Sequence, residues 1–128
     1  GDLLVAGETA WIQIGEVIQG LPAPMNLAWL TLRHSPAVAS RLFFTGERIP
    51  APDLLAMSIA HRVVPDDSVR TEAESLAQRI AGSPPGSARG AKAALRQLYG
   101  HDPVAQIARA RELMPVRGTF RPTAAPKN

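Results

Sequence analysis

The stretch Phe44-Thr45-Gly46-Glu47-Arg48-Ile49, continued by Ala51, Asp53, Leu55 and Ile59 and closed by His61-Arg62-Val63-Val64-Pro65, decides how this chain is read. Just upstream, Ser35-Pro36 places an N-cap residue before a proline at the first helical position, and Gly46 stands where glycine ends helices. This pattern predicts a helix over 36–45. A short helix starting near Pro52-Asp53 carries Leu54, Leu55 and Met57. His61 to Val64 is β-branched and stopped by Pro65, which predicts a short strand.

Downstream, Asp66, Asp67 or Ser68 caps a long helix whose Val69, Ala73, Leu76, Ala77 and Ile80 share one face. Gly82-Ser83-Pro84-Pro85 breaks it. A further helix sets Ala88, Ala91, Ala94, Leu95 and Leu98 on one side, and Asp102-Pro103 opens a last one with Val104, Ile107 and Ala108 inward. From Pro115 the periodicity ends in a basic tail expected to be flexible. Upstream, Leu3 to Ala6 has the pattern of a buried strand, and Trp11 to Ile14 and Val17-Ile18 are β-prone. Pro22 and Pro24 then enforce a loop, with Asn26 as the cap of a helix over Leu27, Trp29, Leu30 and Leu32.

The 128 residues, 45% of them hydrophobic, have an ordinary composition for a folded domain, or part of one, and contain no cysteine. A disulfide framework and a thiolate metal site are thereby excluded, and a reducing, cytoplasmic setting is expected. No apolar run is long enough for a membrane span, and no signal peptide opens the chain. The chain enters an apolar run directly after Gly1, so a leading segment is expected to be missing. The net charge of +3 is a C-terminal property: residues 1–50 sum to −1, 51–100 to +1 and 101–128 to +3. Those last arginines lie in a Pro-rich tail with Phe120 alone as aromatic, so a nucleic-acid partner is not expected.

Nucleotide-binding glycine loops and the serine-hydrolase elbow are absent. His34, His61 and His101 are too widely spaced for a local metal motif, and no metal is expected. Glu16 stands apart. It sits between a β-prone segment and a Gly/Pro loop, flanked by Ile14, Gly15, Val17 and Ile18. Two readings stay open from local sequence: a desolvated carboxylate suited to general acid–base work, or an exposed strand-end carboxylate bonded to nearby backbone.

Three blocks in order resemble the crotonase (enoyl-CoA hydratase/isomerase) superfamily. Gly1-Asp2-Leu3-Leu4-Val5-Ala6-Gly7-Glu8, with Trp11, Glu16, Gly20 and Pro22, is similar to that family's "C-D-[IV]-x-[IV]-A-x-E" strand followed eight residues later by the Glu of "P-E-x-x-x-G". Phe44 to Pro65 resembles "L-T-G-x-x-I-x-A-x-E-A-x-x-x-G-L-V-x-x-V-V-P", and Ala91-Lys92-Ala93-Ala94-Leu95 resembles "A-K-x-x-[LI]". Gly15 stands where proline is usual, and Pro22-Ala23-Pro24-Met25-Asn26-Leu27 replaces "P-G-x-G-G-T". Ser58 replaces the glycine of "L-G-L-V".

The resemblance implies the C-terminal half of such an enzyme. Its fold would be α/β, the last turn of a β-β-α spiral followed by a helical region. Residues 1–48 would end the spiral core, 49–114 would form the helical, oligomerising region, and 115–128 the tail. Glu16 would be the acid–base residue, and Pro22 and Ala23 would contact the substrate. The substrate would be an acyl-CoA thioester undergoing water addition or double-bond migration, with coenzyme A belonging to the substrate and no separate cofactor. The family's oxyanion-hole donors lie in its upstream half, so residues 1–128 alone are expected to be inactive. The family also implies a homo-oligomer, a trimer or a dimer of trimers. The alternative is a non-catalytic crotonase segment that serves subunit association.

Overall fold

A computed structural model describes residues 2–99 and 102–114. The expected basic tail, His101 and any role of Phe120 lie outside the described residues. The elements in order are β1 (Val5–Gly7), β2 (Trp11–Ile12), α1 (Pro24–Thr31), α2 (Pro36–Thr45), β3 (Ile49–Pro50), α3 (Ala51–Ala56), β4 (Arg62–Val64), a single 3-10 turn (Asp66–Ser68), α4 (Val69–Ala81), α5 (Ser87–Tyr99) and α6 (Pro103–Glu112). The chain is mixed α/β and mostly helical, and it divides into two compact units.

One unit comprises residues 1–12 and 50–101. Its centre is a parallel pair, β1 against β4, in the register Val5–Arg62, Ala6–Val63 and Gly7–Val64. The Leu4 carbonyl accepts from His61 N at 2.7 Å and the Val64 carbonyl from Glu8 N at 3.0 Å, which extends the ladder at both ends. Ala6, Ala51, Leu54 and Ala60 form the buried apolar set. Gly7 permits the next contact: a Cβ there would collide with the Asp66 carboxylate. That carboxylate accepts from Thr9 Oγ1 at 2.5 Å and from Thr9 N at 3.2 Å. Both bonds favour the ionised form and hold the Asp66 carboxyl below the usual carboxylate range. The Arg62 guanidinium pairs with Glu72 on α4.

The other unit comprises residues 13–49 and 102–128. Its buried set is Ile14, Ala28, Ala39, Leu42, Phe43, Ile49 and Ala110. Here α6 packs along α1, and Gln106 Nε2 donates to Thr31 Oγ1 at 2.8 Å. The α2 boundaries match the sequence pattern: Ser35 Oγ accepts from Val38 N, Pro36 opens the helix, and Gly46 closes it at φ 58°. His34, its backbone N–H bonded to the Leu30 carbonyl at 2.8 Å, is half-buried. Burial, with Arg33 beside it, holds its imidazole below the usual histidine range.

Several expectations are corrected. Leu3 and Leu4 are exposed, and β1 begins only at Val5, so the apolar run is not an interior strand along its length. Val17-Ile18 is not a strand, because Gly20 at φ 76° closes a turn in which Gly20 N bonds to the Val17 carbonyl. The amphipathic face of α4 is only half-covered, with Val69 and Leu76 half-buried against β1, and that of α5 is exposed; no residue from Asp66 to Leu98 is buried. On α6 Val104 and Ala108 are exposed, Ile107 is half-buried and Ala110 takes the interior place.

Candidate functional site

Glu16 lies on the turn that precedes α1. The turn is tied by its own backbone: the Glu16 carbonyl accepts from Gln19 N at 3.0 Å and from Leu21 N at 2.8 Å. Of the flanking apolar residues Ile14 is buried and Ile18 is exposed. Its side chain is half-buried rather than fully solvated. The carboxylate does not turn back to nearby backbone. Its Oε1 accepts from Asn26 Nδ2 at 2.6 Å, a short charge-assisted bond.

Asn26 is where the local reading failed. Helix α1 starts at Pro24, with Ala23 as its N-cap and no side-chain cap bond, so Asn26 is the third residue of the helix rather than its cap. The sequence did carry the signal: proline at a helix N1 position is favoured because its missing N–H is not needed there. Released from capping, the Asn26 carboxamide reaches back ten residues to Glu16. Ala23 makes this possible by adopting φ 38°, ψ 54°, a left-handed conformation that residues with a Cβ rarely take. Its carbonyl then accepts from Asn26 N at 3.1 Å and Leu27 N at 3.3 Å, opening the helix. Pro22 is exposed on the same loop and Pro24 is buried. Glu16, Ala23 and Asn26 thus belong to one turn-and-helix corner, with Pro22 at its outer edge.

An open cleft of about 260 Å³ lies elsewhere, lined by Asp2, Leu3, Leu4, Leu55, Ser58, Ile59, Ala60 and His61. None of Glu16, Pro22 and Ala23 lines it. Among the described residues, no three His, Cys, Asp or Glu side chains group as metal ligands. No described helix is long and apolar enough to cross a membrane.

The corner and the α/β units define a class: a mostly helical α/β chain that presents one tethered carboxylate between a glycine-closed turn and a proline-started helix. The family model for enoyl-CoA hydratase/isomerase matches residues 1–118, and the chain belongs to that family. The carnitinyl-CoA dehydratase of Citrobacter koseri is 29% identical over 121 residues, which are 94% of this chain and 41% of that protein. Among solved structures, a carnitinyl-CoA dehydratase from Mycobacterium avium 104 superimposes with a TM-score of 0.73 at 30% identity, over 89% of this chain and 46% of the other. A carnitinyl-CoA hydratase from Mycobacterium avium does so with a TM-score of 0.69 at 30% identity, over 91% and 48%. The chain therefore spans less than half the length of these relatives.

Proposed function

We propose that this chain is the C-terminal half of an acyl-CoA hydratase or isomerase, contributing the last turn of the crotonase spiral, and that Glu16 is its acid–base residue. The observation that carries the reading is a half-buried Glu16, eight residues after Glu8 in a family member, with its carboxylate held by a side chain of the following helix. As a base the carboxylate takes the proton from the α carbon of an acyl thioester, and the electron pair moves to the thioester oxygen as an enolate. Returning that proton at the γ carbon shifts the double bond. In hydration the carboxylic acid form delivers its proton to the α carbon as water oxygen bonds the β carbon, and the proton that water releases restores the acid form. Pro22 and Ala23, on the loop entering α1, contact the substrate. Coenzyme A enters as part of the substrate, and no separate cofactor is called for. The two carnitinyl-CoA dehydratases among the relatives make carnitinyl-CoA a thioester worth testing beside crotonyl-CoA and a 3-enoyl-CoA.

The test compares the complete reading frame that encodes this chain with its Glu16→Gln variant on these three thioesters. Loss of at least about 100-fold in kcat is expected for the thioester that is turned over, the lower end of the range for general acid–base catalysis. Unchanged turnover in the variant removes Glu16 from the mechanism.

A second reading, subunit association without catalysis, is favoured by α5, where Leu95 and Leu98 are 54% and 83% exposed beside Ala88, Ala91 and Ala94. A wild-type protein that assembles into trimers but turns over none of the three thioesters selects it.

A further inference from the structure

Asn26 makes no capping bond to α1, although it sits in the first turn of the helix, where an asparagine side chain can bond nearby backbone. Yet its carboxamide makes a 2.6 Å bond to a carboxylate ten residues away, and the chain reaches that arrangement through a left-handed Ala23 immediately before a proline. Backbone strain of this kind persists where the surroundings hold it in place, and it gathers at functional corners. The bond is also chemically one-sided. An amide N–H bonds an ionised carboxylate oxygen more strongly than the hydroxyl oxygen of the protonated acid, so the bond favours leaving the proton to the other oxygen.

We propose that Asn26 is a positioning residue for Glu16: it clamps Oε1, and so leaves Oε2 as the atom that takes and returns the proton. The proposal rests on the reading of Glu16 as the acid–base residue. A carboxylate free to rotate about its last torsion presents either oxygen to the substrate, whereas one tethered through Oε1 presents Oε2 in a single orientation. Misplacement of a reacting atom by about 1 Å can lower the rate about 100-fold. An exposed amide–carboxylate bond, by contrast, adds little to folding stability. The signature of positioning is therefore a kinetic loss with an unchanged melt.

The experiment uses the complete reading frame with crotonyl-CoA, a 3-enoyl-CoA and carnitinyl-CoA. Asn26→Asp keeps the shape but replaces the donor with a second acceptor. It is expected to lower kcat about 10- to 100-fold with KM within about 2-fold. Asn26→Gln restores a carboxamide on a longer tether and recovers part of that loss. In the ¹⁵N-labelled wild type the Asn26 side-chain amide resonances move on Glu16→Ala, which reports the bond without any turnover. Wild-type kcat in Asn26→Asp, where Glu16→Gln is impaired, overturns the positioning role alone. A loss of kcat in Asn26→Asp that only follows a lowered melting temperature overturns it as well. Unchanged turnover in Glu16→Gln, or no turnover by the wild type, overturns the underlying reading and the clamp with it.

Discussion

Ala23 pays a conformational penalty that a glycine would not. Its φ of 38° lies in the left-handed region, where a Cβ crowds the neighbouring carbonyl, and it directly precedes Pro24, which further narrows its choices. Replacing it by glycine relieves the Cβ contact but loosens the unfolded chain, and relief is the larger effect at a positive φ. Ala23→Gly is expected to stabilise the protein by about 1 kcal/mol, read as a higher urea midpoint with the same m-value. A lower midpoint means that the alanine methyl makes contacts worth more than the strain. At the same scale, Glu16 was legible from its spacing to Glu8 and Gly20. Its partner was not, because the bond to Asn26 depends on how Ala23 turns the chain, and alanine carries no mark of a left-handed conformation.

Elements were most legible where their ends are made of local chemistry. Ser35, Pro36 and Gly46 bound α2 as capping rules require, and Asp102 accepts from Val104 N at the start of α6. The entry to α4 was different. Asp66 stands in a 3-10 turn, and its side chain caps nothing in the helix; it is held instead by Thr9 just past β1. This tie couples β1 to the start of α4 and makes it sensitive to acid. The Thr9 bonds lower the Asp66 carboxyl below its ordinary value of 3.8, so their stabilisation is present above that value and is lost as pH falls through the lower, folded one. The stability difference between wild type and Asp66→Asn should be largest near neutrality and shrink below pH 3.8. A difference that stays constant from neutrality to pH 3 shows that the carboxylate charge is not what Thr9 recognises.

At the scale of the molecule, apolar surface outweighs the interior of the second half. No residue from Asp66 to Leu98 is buried, and Phe44, Leu95, Leu98 and Val104 are all exposed. Large exposed apolar surfaces mark association sites or aggregation liabilities. Residues 1–128 expressed alone are expected to elute larger than a monomer, and Leu95→Glu with Leu98→Glu to shift that elution toward the monomer. The same preparation is expected to be silent on enoyl-CoA, since it covers 41% of the length of the Citrobacter koseri dehydratase and, under the proposed reading of Glu16, would need oxyanion donors supplied from elsewhere in such an enzyme. Turnover well above buffer overturns the second expectation, and a monomeric elution overturns the first. The largest fully buried side chains, Leu42, Ile49 and Leu54, all lie before Asp66.

The amino-acid sequence by itself determined the α2 and α6 starts and the strand at Arg62–Val64, because each rests on residues within a few positions of one another, and the family, because three motif blocks stand in order along the chain. Amphipathic periodicity determined that α4 and α5 are helices, but periodicity says which side is apolar and not whether anything covers it. Only the tertiary structure decided that the α5 face stands open and the α4 face is half-covered, that Leu3 and Leu4 lie outside the strand, and that Asp66 serves Thr9 rather than a helix end. It also decided which side chain holds Glu16. All four depend on contacts between residues ten or more positions apart, or on the absence of a covering element, and short-range spacing carries no record of either.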